Sequence, residues 1–104
     1  MAKTIVLYKT PKDVPAFERH YFETHIPLAK KLAGLRKYEV SQGHIMTPAG
    51  VSDIQFAATL HFDDMAAINR AFAIQEGKAC LEDRRVLAPN DDTVTMLLFD
   101  SQEV

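Results

Sequence analysis

Hydrophobic positions along the chain switch between a period of about two and a period of about 3.6, and the switches mark out its elements. Residues 3–9 carry Ile5, Val6, Leu7 and Tyr8 in an unbroken run, the pattern of a strand covered on both faces. Pro11 ends it, because proline cannot donate to a ladder. Val14, Phe17, Tyr21, His25, Leu28 and Leu32 then follow a 3, 4, 4, 3, 4 spacing, which is one face of a helix. Asp13 suits its N-cap and Pro15 its first turn. Pro27 has no N–H for the carbonyl of Glu23 and clashes with it. A kink or break is therefore expected near residues 23–26, with Ile26 pushed out of helical dihedrals. Gly34 suits the position that closes the second piece.

Residues 35–46 read as a second strand, with Tyr38, Val40, Gln42 and His44 on one face and Gly43 as a bulge position. Thr47 to Asp53 reads as a loop by its turn residues. Residues 54–62 alternate strictly and aim Ile54, Phe56, Ala58, Leu60 and Phe62 at the core. Asp63 or Asp64 caps a helix with its stripe at Met65, Ile68 and Phe72. Gly77 interrupts that helix, and Lys78 to Leu87 read as a second piece. Residues 93–99 form a last strand before a polar tail.

The order β-α-β-β-α-β predicts an α+β fold: a ferredoxin-like βαββαβ unit with a four-stranded antiparallel sheet, both helices on one face. Val6 and Tyr8 oppose Ile5 and Leu7, and Leu97 and Phe99 oppose Val94, Met96 and Leu98. Whichever face the helices cover, the other keeps large apolar groups. A homodimer packed through the open sheet face is the simplest closure.

Composition narrows the partners. The chain has 104 residues, so a single domain over residues 1–104 is expected. Net charge is −2 and the basic residues are scattered, which argues against nucleic acid and against an anionic membrane surface. No apolar stretch approaches the ~20 residues of a membrane span. Cys80 is the only cysteine, so no intramolecular disulfide or thiolate metal cluster forms, and a cytoplasmic location follows.

His25 carries most of the chemical interest. Its imidazole sits on an apolar stripe beside a proline, where it can act as a general acid and base facing a cleft. Equally, it can be a buried histidine that bonds the carbonyl freed at Glu23. His20 is five residues away, a rotation of about 500° on an α-helix, so the two rings should point apart and His20 reads as a surface residue. No metal site is expected. His44 and His61 lie on predicted neighbouring strands and can edge one pocket. Tyr8 and Tyr38 can hold a carbonyl or phenol oxygen. Asp83, beside Arg84 and Arg85, reads as half of a surface ion pair, and Cys80 as a packed thiol.

The run His25-Ile26-Pro27-Leu28-Ala29, with Phe17 and Tyr21 before it and Leu35-Arg36-Lys37-Tyr38-Glu39-Val40 after it, resembles the EthD family. Tyr8-Lys9-Thr10-Pro11 and Glu76-Gly77-Lys78-Ala79 are similar too. A tryptophan common before the histidine in relatives is replaced here by Tyr21 or Phe22. The family takes its name from a protein linked to the degradation of ethyl tert-butyl ether. The resemblance implies the dimeric α+β barrel, two ferredoxin-like subunits packed sheet to sheet. It also implies cofactor-free acid–base chemistry of isomerase, cyclase, dehydratase or monooxygenase type on an apolar carbonyl or aromatic compound. His25 and Tyr8 are then the candidate catalytic residues, and Tyr21, Tyr38, His44 and His61 the candidate substrate contacts. Two alternatives stay open on the same fold, a small-ligand carrier without catalysis and a haem-binding relative.

Overall fold

The computed structural model describes residues 1–104. Strand β1 (Ala2–Lys9) leads into a continuous helical segment in three pieces. These are α1 (Val14–His20), a π-helical turn (Tyr21–His25) and α2 (Ile26–Ala29). Strand β2 (Lys37–Val40), a small hairpin of β3 (Met46–Thr47) and β4 (Gly50–Val51), and the long β5 (Ile54–Phe62) come next. Helices α3 (Met65–Ala73) and α4 (Gln75–Leu87) and strand β6 (Val94–Asp100) complete the order. The main sheet runs β2-β5-β1-β6, and each neighbouring pair is antiparallel. That is the ferredoxin-like α+β topology. No helix is long and apolar enough to cross a membrane.

Alternation decides which sheet face the helices cover. Thr4, Val6 and Tyr8 of β1 and Phe56, Ala58, Leu60 and Phe62 of β5 are buried beneath them, in one connected core with Phe17, Leu32, Ile68 and Ala71 for the apolar members. The other face carries Ile5 opposite Leu97 and Lys3 opposite Phe99. Leu97 is 46% and Phe99 39% exposed, so the uncovered face does keep large apolar groups. Both helix caps follow their side chains: Asp13 accepts from the N–H of Ala16 at 3.1 Å and Asp64 from that of Ala67 at 2.7 Å.

Pro27 does not break the helix. The turn before it gains one residue instead: the N–H of Ile26 bonds the carbonyl of Tyr21, five residues back, the π-type bond. The wider turn gives the pyrrolidine ring room that an α-turn denies it. Ile26 keeps helical dihedrals, φ −58° and ψ −47°. The added residue also moves the buried stripe, so Ala29 is buried and Leu28 only half-buried.

Two other boundaries differ from the periodic reading. Strand β2 stops at Val40, where the Ser41 N–H still bonds the carbonyl of Ala57 and its hydroxyl accepts from the Ala57 N–H. Gly43, at φ +74°, then turns the chain out, and residues 46–51 pair as the small hairpin rather than a plain loop. Helix α3 ends at Ile74, which is extended at φ −85° and ψ 170°, not at Gly77. Gly77 lies inside α4, where it packs on the end of α3. A Cβ there would collide with the carbonyl of Ala71 and the Cα of Phe72.

Candidate functional site

A narrow cavity lies between the sheet and the helices. Tyr8 of β1, Tyr21 and His25 of the π-turn, Tyr38 of β2, and Cys80 and Arg84 of α4 line it together with mostly apolar neighbours. Its free volume of about 20 Å³ is the room one water molecule needs.

His25 is 6% exposed and is held from one side only. Its Nδ1 lies 2.9 Å from Oδ2 of Asp83. The other carboxylate oxygen, Oδ1, lies 2.8 Å from Nε2 of His20. An ionised carboxylate only accepts, so His25 donates through Nδ1–H and keeps its lone pair on Nε2. That nitrogen faces the Sγ of Cys80 at 3.9 Å, a weak contact. Burial lowers the pKa of His25, against the opposing pull of Asp83, so the ring is neutral near pH 7.

The tyrosines complete the polar end. The hydroxyls of Tyr21 and Tyr38 lie 2.5 Å apart. One hydroxyl proton fills that bond and the other is not used in it. Burial raises the pKa of Tyr8 and Tyr21, with nearby Tyr38 adding to it, and pushes Tyr38 up to about 12. All three are therefore neutral donors. Burial likewise pushes the Cys80 thiol up to about 11, so it stays protonated. Ring packing fixes the group: the centroids of Tyr21 and His25 are 4.9 Å apart, and those of Tyr21 and Phe56 4.5 Å.

Of the residues singled out from sequence, His25, Tyr8, Tyr21 and Tyr38 come together here. His44 and His61 do not. His44 is exposed in the segment after Gly43 and does not line the cavity. His61 points to the open sheet face, where its Nε2 lies 2.8 Å from Glu39. Asp83 and His20 correct the surface reading. Asp83 is 11% exposed and meets both histidines instead of Arg84 or Arg85. The π-turn is the cause, since one extra residue in the turn brings positions five apart to the same side. A signal for Asp83 existed in α4. Gly77, Cys80, Arg84 and Leu87 are spaced 3, 4 and 3, and Asp83 flanks that face.

The lowered pKa of His25 makes stability depend on pH. Below its ordinary value of 6.5 the unfolded chain binds more protons than the folded one, so stability falls as pH drops from there. Urea midpoints should decrease between pH 7.5 and 5.5, and less so in His25→Gln; an equal decrease in both would remove His25 as the cause.

Comparison with known proteins agrees with this architecture. The EthD domain family matches residues 9–91. An uncharacterized 11.0 kDa protein of Rhodococcus erythropolis, from the thcB-thcC intergenic region, is 30% identical over all of this chain and 98% of its own length. The crystal structure of an ethyl tert-butyl ether D (EthD) family protein from Bacillus halodurans shares 33% identity and a TM-score of 0.88, covering 98% of this chain and 99% of that one. SnoaB, a cofactor-independent oxygenase from Streptomyces nogalater, shares the fold at a TM-score of 0.68 and 16% identity, covering 99% of this chain and 94% of its own. Further ferredoxin-like structures, with TM-scores from 0.64 to 0.68, are described as dimeric proteins of unknown function. With most of its length matched by the family and one relative at a third identity over nearly the whole fold, the chain belongs to the EthD family.

Proposed function

We propose that this protein is an acid–base catalyst for a small carbonyl compound. His25 is the base that takes a proton from the carbon beside the carbonyl. The observation that carries this reading is the orientation of His25: Nδ1 is committed to Asp83, so the lone pair on Nε2 is turned toward the tyrosine-lined cavity. In the reaction the C–H electron pair becomes that of an enolate and the proton goes to Nε2. The free hydroxyl of the Tyr21–Tyr38 pair, with Tyr8, donates to the enolate oxygen as its charge develops. Return of the proton to a different carbon isomerises the compound. Loss of a β-hydroxyl as water, its proton returned from Nε2, dehydrates it, and attack of the enolate on a second carbonyl, whose oxygen takes that proton, closes a ring. A neutral imidazole beside neutral phenols is the protonation pattern each route requires.

At rest the cavity has the volume of one water, so the substrate widens it on entry. The fold likeness to an oxygenase described as cofactor-independent is in keeping with a site whose own side chains move the proton. The test is deuterium exchange of the α-protons of cyclohexanone and δ-valerolactone in D2O, followed by proton NMR. Saturable exchange above the buffer rate is expected. Saturable binding with exchange at the buffer rate would make the protein a carrier instead.

The same reading includes a homodimer through the open sheet face, supported by exposed Leu97 and Phe99 beside Ile5 and by the dimeric neighbours. Light scattering should give twice the chain mass for the wild type and the single mass for Leu97→Glu. A dimer that survives this substitution pairs elsewhere. A cytoplasmic location also belongs to this reading, supported by the one buried, unpaired cysteine.

A further inference from the structure

The carboxylate that orients His25 is itself held, and by a residue outside the cavity. Asp83 has two oxygens and two hydrogen-bond partners: Oδ2 meets Nδ1 of His25 at 2.9 Å and Oδ1 meets Nε2 of His20 at 2.8 Å. Arg84 does not compete, because its Nη1 points to the carbonyl of Ala88 at 3.4 Å. The side chain of His20 is 33% exposed, that of Asp83 11% and that of His25 7%, so the three form a line from the surface to the cavity. A carboxylate with one partner rotates freely about its terminal bond, and either oxygen can serve. With both oxygens engaged its plane is fixed, and so is the direction from which His25 is met.

We propose that His20 is a positioning residue. Its Nε2–H clamps Asp83 so that the remaining oxygen selects the Nδ1–H tautomer of His25 and leaves Nε2 as the base. The inference rests on the reading of His25 as a base, yet what it asserts is a tautomer, which is measured without substrate. The π-turn makes the clamp possible, since on a regular α-helix His20 and His25 would diverge and one carboxylate could not meet both.

The experiment is nitrogen-15 NMR of the full chain labelled at histidine, at pH 7.5, where each ring nitrogen shows whether it carries a proton. Wild type should show His25 almost wholly as the Nδ1–H form. His20→Leu removes the donor and should lower the ratio of the two tautomers about tenfold, the factor of one hydrogen bond of ordinary net strength. His20→Gln supplies an N–H from a side chain of similar reach and should restore the wild-type ratio. Asp83→Asn serves as the reference that moves the tautomer directly. An unchanged ratio in His20→Leu, with Asp83→Asn shifted, would show that Asp83 acts alone and overturn the proposal. An unchanged ratio in both variants overturns it too. If His20→Leu does not fold, an altered ratio in His20→Asn and a preserved one in His20→Gln carry the same decision, and equal ratios in the two count against it. Absence of carbonyl exchange in the wild type would defeat the proposed activity and leave this result standing.

Discussion

Gly77→Ala destabilises the protein by about 3 kcal/mol or more. The collision is with backbone, the carbonyl of Ala71 and the Cα of Phe72, which cannot rotate away as a side chain can. Helix α4 has to lift off the end of α3. In doing so it carries Cys80, Asp83 and Arg84 away from the π-turn, so the site loosens along with the core. A urea unfolding curve measures the first effect as a lower midpoint at constant slope. Gly43→Ala provides the contrast. Its φ of +74° strains a Cβ, but nothing lies within 4 Å of it. The cost there should be about 1 kcal/mol, the ordinary penalty of a left-handed residue. Similar losses for the two variants would mean that conformation, not contact, explains both glycines.

Gly77 also shows where a chain read by period runs short. Strand β5 was legible in its bounds and, from Phe56 to Phe62, in its faces, because core-facing Phe56, Ala58, Leu60 and Phe62 alternate with less buried residues. Ile54, also aimed at the core by the alternation, is not part of it, since the register against β1 shifts between Tyr8 and Lys9. Glycine has no such contrast. As a helix breaker and as a point of close approach it looks the same, and only the packing of α3 on α4 separates the two. Pro27 is a similar case. Its clash with an α-turn follows from covalent geometry, but the chain has two ways to relieve it, a break or an added residue. The buried surfaces of Tyr21 and His25 favour keeping the helix continuous, and those contacts come from distant segments.

The site was legible where it stands on regular elements. Tyr8, Tyr38 and Tyr21 lie on faces that the period assigns correctly. His44 was placed on the wrong element because β2 already stops at Val40 and left-handed Gly43 turns the chain just before it. Asp83 sits in the charged run Glu82-Asp83-Arg84-Arg85, which resembles a solvated face. Its partners depend on a turn that no local rule specifies. The carboxylate that meets Nδ1 of His25 was therefore hidden by the same turn that brings the two histidines to it.

His25→Gln lowers the α-proton exchange rate by about 10²–10⁴-fold, the usual contribution of a positioned general base. Glutamine keeps the length of the side chain, with its amide at the place of Nε2 rather than of Nδ1, so the base is lost, the bond to Asp83 is weakened and the chain still folds. Asp83→Asn should approach the same loss by a different route. The carboxamide offers an N–H to Nδ1, which invites the Nε2–H tautomer and turns the lone pair away from the cavity. Because both changes remove one function, the double variant should be little slower than His25→Gln alone. A merely structural His25 gives another pattern: exchange per folded molecule is then unchanged in His25→Gln, while the urea midpoint falls. Additive losses in the double variant would separate Asp83 from the base and assign it a role of its own. Exchange rates at two substrate concentrations, with folded fraction measured on the same samples, decide among these outcomes.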